Sequence, residues 1–144
     1  MTTHRLFDTS VYIAVLRDTT FAETFRPRYA RDIPFTYCSS VVIHKLLAGA
    51  RTPRHRRQAA LLYEPFERAR RIITPTHLIW KEAAAVVATL FAKVPQLRSK
   101  IARGLLNDIL IALSGRSIGA TVVTRNGEDF RLIQQYRPFS LEII

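Results

Sequence analysis

Five short runs of apolar and β-branched residues punctuate the chain, at Arg5 to Phe7, Phe35 to Cys38, Ile72 to Thr74, Thr121 to Thr124 and Ser140 to Ile143, and each has the length and composition of a strand. Longer stretches lie between them, several with apolar residues at helical spacing: Val11 to Leu16, Val41 to Ala50, Gln58 to Arg70, His77 to Ala92, Ile101 to Ser117 and Asp129 to Gln135. This alternation predicts an α/β fold, an α/β/α sandwich with a central parallel sheet of about five strands. Side chains bearing an oxygen stand near most predicted helix starts, at Thr9 or Ser10, Ser39 or Ser40, Thr76, Asn107 and Asn126, where they can accept from free N–H groups. Pro27, Pro34, Pro53, Pro75, Pro95 and Gly127 mark short interruptions, and no repeat, low-complexity tract or Gly/Ser linker divides the chain. Residues 1–144 are therefore expected to form one domain. In such sheets ligands gather at the carboxyl ends of the strands, so polar residues just after each strand carry the functional information.

Composition sharpens this picture. The chain has 144 residues, 48% hydrophobic and 23% charged, which suits a folded globular protein and excludes a disordered one. Its 22 Lys and Arg against 11 Asp and Glu give a net charge of +11. Most of the excess is arginine, whose planar fork matches phosphate oxygens, so a polyanionic partner is expected. The single cysteine, Cys38, excludes a disulfide framework or a cysteine-based zinc cluster within one chain and fits a reducing cytoplasm. Residues 1–17 carry His4, Arg5, Asp8 and Arg17 and so lack the apolar core of a signal peptide, and no apolar run is long enough to span a membrane.

With so few acids, their placement is readable. Asp8 follows the first predicted strand in L-F-D-T-S-V-Y-I, Asp108 sits within the apolar L-L-N-D-I-L-I-A-L, and Asp129 follows the fourth strand in T-R-N-G-E-D-F. Each alone has an ordinary explanation as a helix cap or a first-turn acid. Together they differ, because two lie beyond the carboxyl ends of separate strands and the third at a neighbouring helix start, so all three can converge on one edge of the sheet. Converging carboxylates repel unless a cation intervenes, and hard oxygen ligands without cysteine point to Mg2+ or Mn2+. Such an ion can activate water and stabilise charge developing on a phosphodiester.

Four segments in this order, L-F-D-T-S-V-Y-I, S-S-V-V-I-H-K-L-L-A-G-A, N-D-I-L-I-A and V-V-T-R-N-G-E-D-F, span nearly the whole chain and resemble the PIN-domain proteins of the VapC toxin group. The resemblance implies a PIN fold and a metal-dependent endoribonuclease, the toxin of a type II toxin–antitoxin pair. It also implies a homodimer whose activity a cognate antitoxin protein holds in check. Asp8, Asp108 and Asp129 take the first, third and fourth acidic positions of the family pattern, as metal-binding and catalytic residues. Ser10, Thr124 and Asn126 match polar residues that support the site through hydrogen bonds. At the second acidic position the pattern carries glutamate, and His44 is read as standing in its place, a poorer ligand for Mg2+ that removes one negative charge. The alternative is therefore a catalytically impaired PIN module that binds RNA or antitoxin without cleavage. Glu128 and Glu82 are the other acids that could replace the missing carboxylate, and both fit better as solvated helix-surface charges.

Downstream, A-R-T-P-R-H-R-R-Q concentrates Arg51, Arg54, Arg56 and Arg57, candidate RNA-binding residues whose phosphate contacts would make binding salt-sensitive. The helix pattern I-W-K-E-A-A-A-V-V-A-T-L-F offers ample apolar surface, and Trp80 and Phe91 are expected in the core, with an antitoxin helix in a groove as the functional alternative. No glycine-rich phosphate loop follows any predicted strand, which disfavours a nucleotide-binding doubly wound domain.

Overall fold

A computed structural model describes residues 3–144 and contains the expected alternation of strands and helices. Strands β1 (Arg5–Phe7), β2 (Thr36–Ser39), β3 (Ile72–Ile73), β4 (Thr121–Thr124) and β5 (Ser140–Ile143) form one parallel sheet in the order β3-β2-β1-β4-β5. Helices α1 (Thr9–Arg17), α2 (Thr19–Asp32), α3 (Ser40–Gly49), α4 (Pro53–Arg68), α5 (His77–Lys93), the single turn α6 (Arg98–Lys100), α7 (Leu106–Ser117) and α8 (Gly127–Gln134) connect and cover it. No helix among the described residues is long and apolar enough to cross a membrane.

The first strand shows how both faces are buried, because neighbouring strand residues point to opposite sides of a sheet. Leu6 lies beneath α7, where a Cβ built on Gly115 would stand 3.4 Å from Leu6 Cδ2 and 2.9 Å from Val122 Cγ2. Phe7 turns the other way and meets the rings of Tyr12 on α1 and of Phe25 and Tyr29 on α2, at centroid distances of 6.2, 5.5 and 5.9 Å. Helix α7 packs on β4 and is flanked by α3, α5 and α8, so every residue from Asp108 to Gly115 is buried. A helix apolar almost all round belongs in such an interior, and Asp108 is the one acid on it.

Three departures from the sequence pattern bear on function. The pattern predicts no element between Leu16 and Phe35, yet Thr19–Asp32 is helical despite Pro27 within it. Phe21, Phe25 and Tyr29, spaced by four, form its inner stripe, and the first two rings stack at 5.3 Å. Helix α4 begins at Pro53 rather than near Gln58: Thr52 Oγ1 accepts from His55 N at 3.1 Å, and proline fits the first helical turn. The predicted helix from Ile101 to Ser117 is interrupted by a wide turn over Ile101–Leu105, where Gly104 has φ +138°, a backbone conformation closed to most side chains. Trp80 also departs from expectation: it follows the buried stripe of Ile79, Ala83, Val86 and Leu90 by one residue, which turns it outward and leaves it half-exposed. Phe91 is partly buried beneath the Arg98 guanidinium, 5.2 Å from its centroid.

Buried Asp32 ties the sheet edge to α2. Arg28 Nε and Arg31 Nε donate to it at 3.1 Å each, Arg5 Nε lies 3.2 Å away, and Arg28 also pairs bidentately with Glu142 on β5. Burial alone would raise its pKa, but the hydrogen bonds from Arg31 and Arg28 and the charge of Arg5 outweigh burial and lower it.

Gly115 permits the close approach of α7 to the sheet. Gly115→Ala is expected to destabilise the protein by about 1–3 kcal/mol despite the better helix propensity of alanine, because stiff Val122 has to yield. Thermal unfolding should show Tm falling by roughly 3–10 °C; an unchanged Tm would mean that the helix–sheet spacing is not set here.

Candidate active site

The strand order reverses direction at the centre of the sheet: from β1 the chain builds outward through β2 and β3, then returns to the opposite side of β1 with β4 and β5. In an open parallel sheet this switch point leaves a crevice at the carboxyl ends of the two central strands. Asp8 immediately follows β1, Thr124 ends β4, and Asp129 lies in the first turn of the helix after β4. Asp108 reaches the same neighbourhood from the first turn of α7, which packs against β4.

Asp8 has extended backbone geometry, and its own N–H continues the sheet by donating to Val123 O at 2.9 Å. Its carboxylate caps α1 and is held on one oxygen: Oδ2 accepts from Ser10 Oγ at 2.8 Å, Thr124 Oγ1 at 2.8 Å and Ser10 N at 3.4 Å. The two hydroxyls are oriented in turn, because Ser10 Oγ accepts from Arg125 N at 3.0 Å and Thr124 Oγ1 from Asn126 N at 2.9 Å. With their lone pairs engaged by backbone donors, both hydroxyls direct protons at Oδ2. Asp8 thus caps α1 through Oδ2, with Oδ1 left outside this network. Asn126 contributes its backbone N–H, while its side chain makes no capping bond at the start of α8.

Asp8, Asp108 and Asp129 are exposed by only 3, 7 and 9%. Burial first, then the charge of Asp8, and more weakly that of Asp129, raise the Asp108 pKa to about 7, against the opposing charges of Lys45 and Lys100. The three acids therefore share one electrostatic neighbourhood. Asp129 Oδ1 has no well-aligned hydrogen-bond donor, but Lys100 Nζ stands 2.6 Å from it, a close ion contact. Among the described residues no three His, Cys, Asp or Glu side chains stand close enough together to form a finished metal cage. The donor chemistry nonetheless fits a hard divalent cation, since three buried carboxylates supply oxygens, one of them already paired with an ammonium.

His44 does not join this group. It is exposed on α3 and is not among the groups that shift Asp108, whereas the next residue, Lys45, half-buried and one hundred degrees further round the helix, is. His44, expected from the sequence to stand at the site, is thus in solvent, and the charge felt by Asp108 from α3 is the ammonium of Lys45, a residue the sequence pattern did not single out. Glu82 is committed elsewhere, 3.3 Å from Arg116 Nη1 and 3.0 Å from Arg137 Nε, and Glu128 is exposed. Arg51, Arg54, Arg56 and Arg57 are all exposed, the last three on α4.

Comparison with known proteins accords with this geometry. The family model described as PIN domain matches residues 5–135, and the chain belongs to that family. Solved structures similar to it include DNA-bound VapBC from Salmonella typhimurium, with TM-score 0.67, 19% identity, and coverage of 99% of this chain and 98% of that one. VapBC-1 from nontypeable Haemophilus influenzae matches with TM-score 0.67, 20% identity and 98% coverage of each chain. VapBC-5 from Mycobacterium tuberculosis, a member of the VapBC family of toxin–antitoxin systems, matches with TM-score 0.58, 20% identity, and coverage of 99% of this chain and 98% of that one. No curated protein sequence matches the chain.

The raised pKa of Asp108 links pH to folding. Native Asp108 holds its proton more tightly than the unfolded chain does, so its stabilising contribution is present below the ordinary carboxylate range near ~4 and is lost as pH rises toward about 7. Urea unfolding of metal-free protein across this window should show falling stability, and Asp108→Asn should flatten the slope. A slope that survives Asp108→Asn would assign it to another group.

Proposed function

We propose that this chain is a metal-dependent endoribonuclease of the VapC toxin kind that hydrolyses RNA phosphodiester bonds and is controlled by a small antitoxin protein. One observation carries the reading: three buried carboxylates at the switch point of a parallel sheet, one of them aligned by two positioned hydroxyls. The family assignment and the likeness of the whole fold to chains of VapBC complexes support it.

Asp8, Asp108 and Asp129 are the residues to hold Mg2+ or Mn2+, which when bound activates water and offsets negative charge developing on the scissile phosphate. Ser10 and Thr124 keep Asp8 from rotating, so its second oxygen is presented without further loss of side-chain freedom. Burial and acidic neighbours favour the protonated form of Asp108 near neutral pH, and a cation held beside it would favour its carboxylate. Lys100, 2.6 Å from Asp129 Oδ1, would compete with such a cation for that oxygen.

The ammoniums of Lys45 and Lys100 favour a second reading, a module that binds RNA or antitoxin without cutting, because the acids already have positive charge beside them. Mn2+ titration calorimetry together with an RNA cleavage assay separates the two. On the nuclease reading the protein binds Mn2+ and cuts RNA, and Asp8→Asn lowers cleavage by about a hundredfold or more with the circular dichroism unchanged. Lys100→Met, which removes the competing cation at a partly exposed pair, should tighten Mn2+ binding by roughly two- to fivefold. Cleavage by Lys45→Glu but not by the parent chain would transfer the protein to the second reading.

A further inference from the structure

A hollow of about 460 Å3 opens between α1, α3 and the first turns of α4, lined on its polar side by Arg17, Lys45, Arg51, His55 and Gln58 over an apolar floor that includes Leu46. No acidic residue lines it. Among the described residues, none of its basic side chains lies in an ion pair, in contrast with Arg5, Arg28 and Arg31 around Asp32 or Arg116 and Arg137 on Glu82. A concave surface lined by one sign of charge focuses its field and draws anions.

Helix α4 selects which of the neighbouring cations take part. Because it starts at Pro53, His55, Gln58 and Ala59 share the face that closes the hollow, while Arg54, Arg56 and Arg57 do not line it. Arg51, just before the helix, is the one residue of the four-arginine cluster that lines the hollow. Lys45 links the hollow to the acids, since it lines the former and its charge reaches Asp108. The lining has no Phe, Tyr or Trp on which a base could stack, and His55 supplies its one ring.

We propose that this hollow seats the backbone phosphates of an RNA strand flanking the bond presented to Asp8, Asp108 and Asp129, with Lys45, Arg51 and Arg17 as the phosphate ligands and no reading of base identity. The inference rests on RNA being the substrate. Lys45 occupies the junction, so the strand passes from the acids over its ammonium toward Arg51 and Arg17.

The test is fluorescence anisotropy with a labelled, 2′-O-methylated RNA of about 15 nucleotides, which cannot be cut, titrated between about 50 and 200 mM salt. Arg17→Ala with Arg51→Ala should weaken binding by about tenfold or more and lower the slope of log affinity against log salt by about 1.4, for two lost phosphate contacts. Arg17→Lys with Arg51→Lys should largely restore the slope. Arg26→Ala with Lys81→Ala removes the same charge from exposed positions outside the hollow and should change affinity less than about twofold. All these side chains are exposed and unpaired, so Tm should not move. Equal losses in the two alanine pairs would overturn the hollow as a site while leaving the nuclease reading intact. Failure of the parent chain to bind RNA at all would overturn both, and loss of binding to an antitoxin peptide without loss of RNA binding would assign the hollow to protein recognition instead.

Discussion

The carboxyl-end edge of the sheet depends on the repulsion felt among its buried carboxylates. Asp8, Asp108 and Asp129 are held in a region with too little water to screen them, and Asp108 answers by retaining its proton toward neutral pH. Such an arrangement destabilises the empty protein, and the fold sustains it through contacts elsewhere: the all-round burial of α7, the aromatic cluster of Phe7 with α1 and α2, and the guanidinium-ringed Asp32. The two lysines nearby relieve part of the repulsion from within the chain, and a divalent cation would relieve it further.

The scarcity of acids organises the surface as well. Among the described residues, Asp32, Glu142 and Glu82 gather arginines into structural ion pairs, and Lys100 is drawn to Asp129. The basic residues that remain unmatched are then free to act outward. At the hollow beside α3 the geometry concentrates them on a concave face next to the acids, so attraction for a polyanion and the chemistry expected at the carboxylates adjoin.

The positions 44 and 45 illustrate how narrowly such a site is set. On a helix one residue is a rotation of about a hundred degrees, enough to place His44 in solvent and Lys45 toward the acids. The charge that α3 brings to Asp108 is consequently positive. Its effect is electrostatic: it offsets the acids and extends the positive field of the hollow to their edge.

Much of this was legible in the residues themselves. Alternation of short β-branched runs with helical periods determined the parallel α/β class, since a strand run of this kind has to be buried on both faces. The positions of Asp8 and Asp129 after strands marked the sheet edge at the switch point. Helix α2 was obscured by Pro27 and its charges, although its aromatic stripe was there to be counted. What only the tertiary structure decided was direction. Which oxygen of Asp8 the hydroxyls engage, that Asn126 serves through its backbone, that Lys45 rather than His44 faces inward, and that Arg51 parts company with Arg54, Arg56 and Arg57 all follow from where helices begin and how they rotate on the sheet. Hydrophobic periodicity records which residues are buried, and it leaves undecided which of the charged residues at the margin of a buried face meet.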